Sequence, residues 1–307
     1  MLTEQDEQKQ YLGQFIPIQY HHMMLMDTNR MKNFKAAIDY VVKPGAKVLE
    51  LGGGTGVLSC FAAAKADKVW CVEFNEELVT ESRRFLELNP DGDKVEVIHA
   101  DAFHYLPPEP VDVMICEMIH VAMLREKQVE MVESFKQRYQ KRFGAQLPIL
   151  VPTAVVMAVQ PLQKAYDFEG FHAPIIQVED LSPNMHGTFE LAPPAIYSVL
   201  DFTKTNSLDI VWDDTVVIEE SGVVNALRFI TKNILAMVMD SSSTIDWLNR
   251  YMVFPLRTPV KVQAGELLRI RFQYRAGDFI SVLKDGLQVE VVGASADCVA
   301  VAIPPIN

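Results

Sequence analysis

Apolar and polar positions follow two rhythms along the chain, and the change falls near Leu147-Pro148 and Val151-Pro152, where proline interrupts helical continuation. Before that point, short apolar runs of strand length alternate with segments of helical spacing. The pattern predicts helices over residues 24–40, 57–66, 76–88 and 125–143. It predicts strands over 46–51, 68–73, 94–99 and 111–116. Strands alternating with helices of ten or more residues point to βαβ units and a parallel, doubly wound α/β sheet. After that point the period shortens to two: Leu268, Ile270, Phe272 and Tyr274 alternate with Arg269, Arg271 and Gln273. Further strand-like runs at 154–159, 215–219, 226–231 and 251–254 predict an antiparallel, barrel-like second half. The reading is of two domains, residues 1–150 and 151–307, a division that also suits a length of 307 residues.

The strongest local signal is Val48-Leu49-Glu50-Leu51-Gly52-Gly53-Gly54-Thr55-Gly56, a glycine-rich turn directly after a predicted strand and before a helix. Backbone without side chains can approach a ligand closely there. Three ligand classes compete. A phosphate-gripping P-loop needs Lys-Ser or Lys-Thr after its glycines, and none follows. The dinucleotide spacing fails because the third glycine, Gly56, comes one residue early. The remaining form is that of S-adenosylmethionine (SAM) sites, with Glu50, Gly52, Gly54 and Gly56 as its fixed positions. The next strand ends in Glu73, 17 residues after Gly56, where a carboxylate can accept both hydroxyls of a ribose. Asp101, closing the strand at 94–99, is a candidate for the adenine amino group, with a plain turn residue as the alternative.

These motifs, in this order, resemble the protein arginine N-methyltransferases, class I SAM-dependent enzymes, over roughly Tyr11 to Val289. His21-His22-Met23-Met24-Leu25-Met26-Asp27-Thr28-Asn29-Arg30 is similar to the family's H-E-x-M-L-x-D-x-x-R segment. The resemblance implies that Arg30 grips the SAM carboxylate through a charge-assisted pair and that Met24 lies in the cofactor pocket. Of the cluster Met23, Met24, Met26 and Met31, most are expected to pack in a helical core. Val111–Glu117 is similar to the strand entering the family's double-glutamate loop, and Glu126 follows Glu117 by nine residues, as the family spacing requires. Thr244-Ile245-Asp246-Trp247 stands where the family has a threonine-histidine-tryptophan loop, which implies Asp246 and Trp247 in the acceptor pocket.

Paired carboxylates suit a guanidinium, which does not lose its proton readily in water. Such a site must hold the cation by its N–H edges and aim one nitrogen at the methyl, so that positioning and electrostatics supply the acceleration. Nine residues on an unbroken helix turn through about 900° and leave two side chains on opposite faces. Glu117 and Glu126 therefore converge only if residues 118–124 form a loop. The chain departs from the family in carrying Met118, Ile119 and His120 after the first glutamate, and Asp246 in place of the histidine. His120 becomes a candidate general base, since histidine titrates near neutrality. Asp246 either joins the acids that hold a cation or pairs with a local base such as Arg250.

Charge narrows the partners. Lys and Arg number 28 against 40 Asp and Glu, a net charge of −12. A polyanion such as nucleic acid is disfavoured, and a cationic peptide, protein or small-molecule acceptor is favoured. No basic n-region precedes an apolar stretch at the start, and no apolar run is long enough for a membrane, so a cytoplasmic protein is expected. Cys60, Cys71, Cys116 and Cys298 lack metal-ligand spacing, and no metal is expected. Residues 167–194 lack the aromatic and glycine pattern of the family's dimerisation arm, so a homodimer by that route is left open. The leading expectation is an N-methyltransferase acting on a guanidinium or other cationic nitrogen. A small-molecule or non-arginine methyltransferase, and a SAM-binding scaffold without turnover, remain as alternatives.

Overall fold

The computed structural model describes residues 18–181 and 187–294. The opening ten residues, Tyr11 and Cys298 lie outside them. The single helix expected over 24–40 is two: α1 (Ile18–Met26) and α2 (Thr28–Val41). Asp27 separates them because its carboxylate accepts the Arg30 N–H at 2.9 Å and caps α2. None of α1 is buried, whereas α2 buries Arg30, Phe34, Ala37, Ile38 and Val41.

Five strands form the first sheet: β1 (Lys47–Leu51), β2 (Lys68–Glu73), β3 (Val95–His99), β4 (Val113–Cys116) and β5 (Ile149–Val151). Their order is β3-β2-β1-β4-β5 and every neighbouring pair is parallel. Helices α3 (Val57–Ala63), α4 (Glu76–Glu87) and α5 (Gln128–Phe143) connect them. β1, β2 and β4 are almost wholly buried, which explains why they read as continuous apolar runs. The chain order reverses between β1 and β4, so a crevice opens beyond their carboxyl ends, the usual place for ligands in such sheets. Glu50, Gly52 and Glu117 all lie at that edge.

The second half is antiparallel. A seven-stranded sheet contains β6 (Ala154–Lys164), β9 (Gln177–Glu179), β10 (Thr188–Glu190), β11 (Ala195–Asp201), β13 (Gly222–Val238), β14 (Ser243–Leu248) and β15 (Tyr251–Val262). A three-stranded sheet contains β12 (Asp209–Val217), β16 (Glu266–Arg275) and β17 (Gln288–Ala294). Between β16 and β17 lies a short helix, α6 (Ile280–Gly286). The sheets face each other through aromatic rings: Phe272 lies 5.1 Å from Tyr197 and 5.3 Å from Phe229, centroid to centroid. The runs expected at 226–231 and 251–254 are pieces of much longer strands, and β11 and β14 were not expected at all. Residues 167–194 contain a small hairpin, β7 (Asp167–Phe168) with β8 (Phe171–His172), followed by β9 and β10; residues 182–186 of that stretch lie outside the description.

The halves are bonded to each other. Trp247 of β14 packs on Phe34 of α2, ring centroids 5.9 Å apart. Thr153, in the crossing between β5 and β6, donates its N–H to Ile234 at 2.8 Å and accepts from the Phe202 N–H at 2.9 Å. Lys136 of α5, itself buried, reaches the Phe202 carbonyl at 3.1 Å and pairs with Glu133 at 2.7 Å.

Candidate active site

The glycine loop folds back on β2, with the N–H groups of Gly52 and Gly53 both donating to the Val72 carbonyl at 2.9 Å. Gly53 has no room for a side chain, because a Cβ there would collide with Cys71 Sγ. Gly54 has a φ of +55°, and a Cβ would lie 3.0 Å from His21 Cε1, so this glycine leaves a narrow cradle between the loop and α1. Glu73 fixes the loop from below. Its carboxylate accepts the Gly54 N–H at 2.8 Å and the N–H groups of Phe74 and Asn75, each at 2.8 Å. A carboxylate offers about four acceptor positions, so three bonds leave one for a ligand hydroxyl. Gly56, expected at the cofactor, instead forms the turn into α3 and faces Leu86 and Ser82 of α4.

Beyond the loop lies a cleft of about 750 Å³ lined from both halves. Arg30, Glu50, Gly52, Gly54, Glu73, Asp101, Met24, Glu117, His120, Glu126 and Trp247 all border it, as do Arg250 and Asn249, the latter not singled out by the sequence. The segment between β4 and α5 is a loop, as convergence of the two glutamates requires. Ala122, Met123, Arg125 and Lys127 take φ values of 58°, 54°, 65° and 53°, so α5 begins at Gln128 rather than at 125.

Burial and charge set the protonation of this cleft. Arg30 forms an ion pair with Glu117 and stacks 5.4 Å over the Trp247 ring, while its Nε is buried without a partner. Burial raises the Glu117 carboxyl above the usual range, with Arg30 opposing. Glu126 is pushed up to about 7, first by burial and then by the Glu117 charge, against Arg30 and Arg125. Glu50, buried and bonded to the Ser59 hydroxyl in the first turn of α3, is raised to about 8 by burial. His21 is lowered to about 4 by burial and by Arg30, and its Nε2 has no partner.

His120 is also lowered to about 4, by burial, and its Nδ1 lies 3.0 Å from the Val121 carbonyl. That bond places the ring proton on Nδ1 and leaves Nε2 as an acceptor. A ring with this pKa is a weak base at neutral pH, which corrects the expectation of a group titrating near neutrality.

The remaining candidates, Asp101, Asp246 and the methionines, differ in outcome. Asp101 has both readings at once: it shapes a local turn, accepting the Phe103 N–H and facing His104 Nδ1, both at 2.8 Å, and it borders the cleft with acceptor positions left. Asp246 lies on the face of β14 opposite Trp247, because side chains alternate along a strand. It pairs with Lys232 at 3.2 Å and accepts from the Thr244 hydroxyl at 2.9 Å, outside the cleft; Arg250 pairs with Asp180 at 2.9 Å instead. The methionines are not core: Met23 and Met26 are 55% and 65% exposed, and Met24 and Met31 are half-buried at the cleft. Cys60, Cys71 and Cys116 are free thiols. Among the described residues no cluster of three His, Cys, Asp or Glu is placed to hold a metal, and no helix is long and apolar enough to cross a membrane.

The raised Glu126 carboxyl has a measurable consequence. A carboxyl whose folded pKa exceeds its unfolded value costs stability as pH rises from the ordinary carboxylate range through about 7. Glu126→Gln removes that loss, so its melting temperature relative to the unaltered protein rises between pH 5 and pH 8. Glu50 acts with the same sign in both proteins and cancels in the comparison. Thermal melts at the two pH values check this, and a difference independent of pH would contradict it.

Comparison with known proteins agrees with this architecture. A family model described as a methyltransferase domain matches residues 48–141. An uncharacterized protein of Methanocaldococcus jannaschii is 28% identical over 269 residues, covering 88% of this chain and 96% of its own. Protein arginine N-methyltransferase 6 of Danio rerio is 31% identical over 150 residues, 48% of this chain and 43% of that relative. Among solved structures, Arabidopsis thaliana protein arginine methyltransferase 10 superposes with a TM-score of 0.69 at 17% identity, covering 94% of this chain and 98% of the other. The Trypanosoma brucei PRMT1 enzyme-prozyme complex with AdoHcy gives 0.67 at 17% identity, covering 90% and 94%. With its ordered motifs, its parallel sheet and its antiparallel second half, the chain carries a methyltransferase domain over residues 48–141 and shares its fold with the protein arginine methyltransferases, to which it is similar.

Proposed function

We propose that the chain binds SAM in the cleft and transfers its methyl group to a nitrogen of a cationic acceptor, a guanidinium foremost. The observation that carries this reading is the meeting of Glu117 and Glu126 in one cleft with Arg30, although they stand nine positions apart in sequence. The cleft suits the cofactor: Gly54 leaves a cradle, Glu73 retains one acceptor position, and the unpartnered Arg30 Nε offers a donor to a carboxylate.

When bound, SAM supplies an electrophilic sulfonium methyl and leaves as a neutral thioether. Arg30, Glu73 and the glycine loop hold it. Glu117 and Glu126 bind the N–H edges of the acceptor and orient one nitrogen toward the methyl. Glu126, with its carboxyl near 7, is matched to take the proton that the methylated nitrogen releases. Neutral His120 presents Nε2 as a further acceptor for an N–H of the substrate.

A second reading, a small-molecule amine acceptor, is favoured by the replacement around Met118, Ile119 and His120 and by Asp246 lying outside the cleft. One assay separates the two: transfer of radiolabelled methyl from SAM to arginine peptides, lysine peptides and small guanidines or amines, with SAM binding measured by calorimetry. The leading reading expects label in arginine peptides at the greatest kcat/KM. Label confined to small amines would establish the second, and SAM binding without transfer to any acceptor would leave a scaffold.

A further inference from the structure

The loop that brings Glu117 and Glu126 together is held from the other half of the molecule. Its left-handed residues Ala122, Met123, Arg125 and Lys127 carry side chains, and such conformations persist only where the surroundings over-determine them. The surroundings here are specific. The Ala122 N–H donates to the Thr231 hydroxyl at 2.8 Å, and the Ala122 carbonyl accepts from the Tyr274 hydroxyl at 2.8 Å. Tyr197 lies 3.1 Å from Tyr274, oxygen to oxygen, and since the Tyr274 proton goes to Ala122, Tyr197 is the donor. The Met123 carbonyl accepts from Gly277 at 2.8 Å, and the Arg125 N–H donates to Asp278 at 2.9 Å. Ala122 and Thr231 are fully buried and Tyr274 is 3% exposed, so water does not replace these partners.

Both backbone groups of one strained residue are thus claimed by side chains of β13 and β16, more than a hundred positions downstream. Neither hydroxyl lines the cleft. We propose that Thr231 and Tyr274 are positioning residues for methyl transfer, fixing through Ala122 the placement of Glu117 relative to Glu126. This inference rests on the paired-carboxylate reading given above. Glu126 faces Glu117 at the end of β4, Arg30 from α2 and Arg125 from its own loop. A loosened loop lets water reach Glu126 and draws it away from Glu117, and both changes lower its pKa.

Three variants test this: Thr231→Val, which keeps the shape and loses the hydroxyl; Thr231→Ser, which keeps the hydroxyl; and Tyr274→Phe. The first readout needs no acceptor. Met118 and Met131 border the same cleft, and their carbon-13 methyl signals, followed by NMR from pH 5 to 9, report its carboxyls; the step lost in Glu126→Gln is the Glu126 titration, apart from that of Glu50. The unaltered protein and Thr231→Ser should share one midpoint, while Thr231→Val and Tyr274→Phe should fall by about half a pH unit or more. The second readout is transfer to the best acceptor. The two hydroxyl-deleted variants should lose roughly ten- to a hundredfold in kcat, the cost of sub-ångström misplacement, with SAM affinity held within about twofold.

Unchanged midpoints and unchanged kcat in both would overturn the proposal. So would an equal loss of SAM affinity, which marks general damage. Transfer at the unaltered rate by Glu126→Gln would overturn the paired-carboxylate reading itself, and this inference with it.

Discussion

Glu117→Gln should lower methyl transfer at least about a hundredfold while leaving SAM binding nearly intact. The substitution keeps size and one acceptor oxygen but removes the negative charge that meets both Arg30 and the cationic acceptor. Loss of one preorganised electrostatic partner at a reacting centre typically costs two to three orders of magnitude in kcat. SAM affinity is spared because the Arg30 guanidinium, released from Glu117, is fully available to a carboxylate. Single-turnover transfer alongside calorimetric titration checks both halves. A variant that transfers at the unaltered rate would remove Glu117 from the chemistry, and one that loses SAM affinity in proportion would place it at the cofactor instead.

Arg30→Ala should have the largest effect on the fold itself. Arg30 and Glu117 have side chains only 10% and 11% exposed, and removing one member of a buried pair costs roughly 3–5 kcal/mol because the other charge is stranded. Glu117 already lies above the ordinary carboxylate range, and without Arg30 it rises further. The stranded carboxylate therefore escapes by taking a proton at low pH and cannot at high pH. The destabilisation should approach that range near pH 8 and shrink near pH 5.5, as denaturant melts would show. A loss equal at both values would mean that Trp247, left without its stacked guanidinium, and not the stranded charge, dominates. SAM affinity should fall by roughly tenfold or more, since the carboxylate loses a charge-assisted partner.

What could be read in the sequence was what short spacing determines. The glycine turn, Glu73 and Glu117 lie at strand ends, and a parallel sheet brings those ends to one edge whatever the rest of the chain does. Arg30 was legible only through the resemblance of residues 21–30 to the family segment; the cap at Asp27 that starts its helix was not read. The place of Glu126 was legible only as a condition. Its loop depends on left-handed residues held by Thr231 and Tyr274, and no local pattern announces a contact across more than a hundred positions.

Asp246 was misplaced because its segment was taken as a loop, where alternation has no meaning; in a strand, its neighbour Trp247 takes the cleft side. The methionines misled for a different reason. Their apolar spacing suits a core, but among the described residues α1 buries none of its side chains and borders the cleft. His120 was given its ordinary pKa, and only the surrounding protein shows how far burial lowers it.

The crossing at Thr153 has a further consequence. Only two residues separate β5 from β6, and the second of them is bonded to the Ile234 and Phe202 backbone. A rotation of one half against the other would therefore break the bonds that cross between them, Lys136 with Phe202 and Ala122 with Thr231 and Tyr274, rather than bend a long linker. Among the described residues, α1 stands at the rim of the cleft without a single buried residue, so it can yield without opening the core.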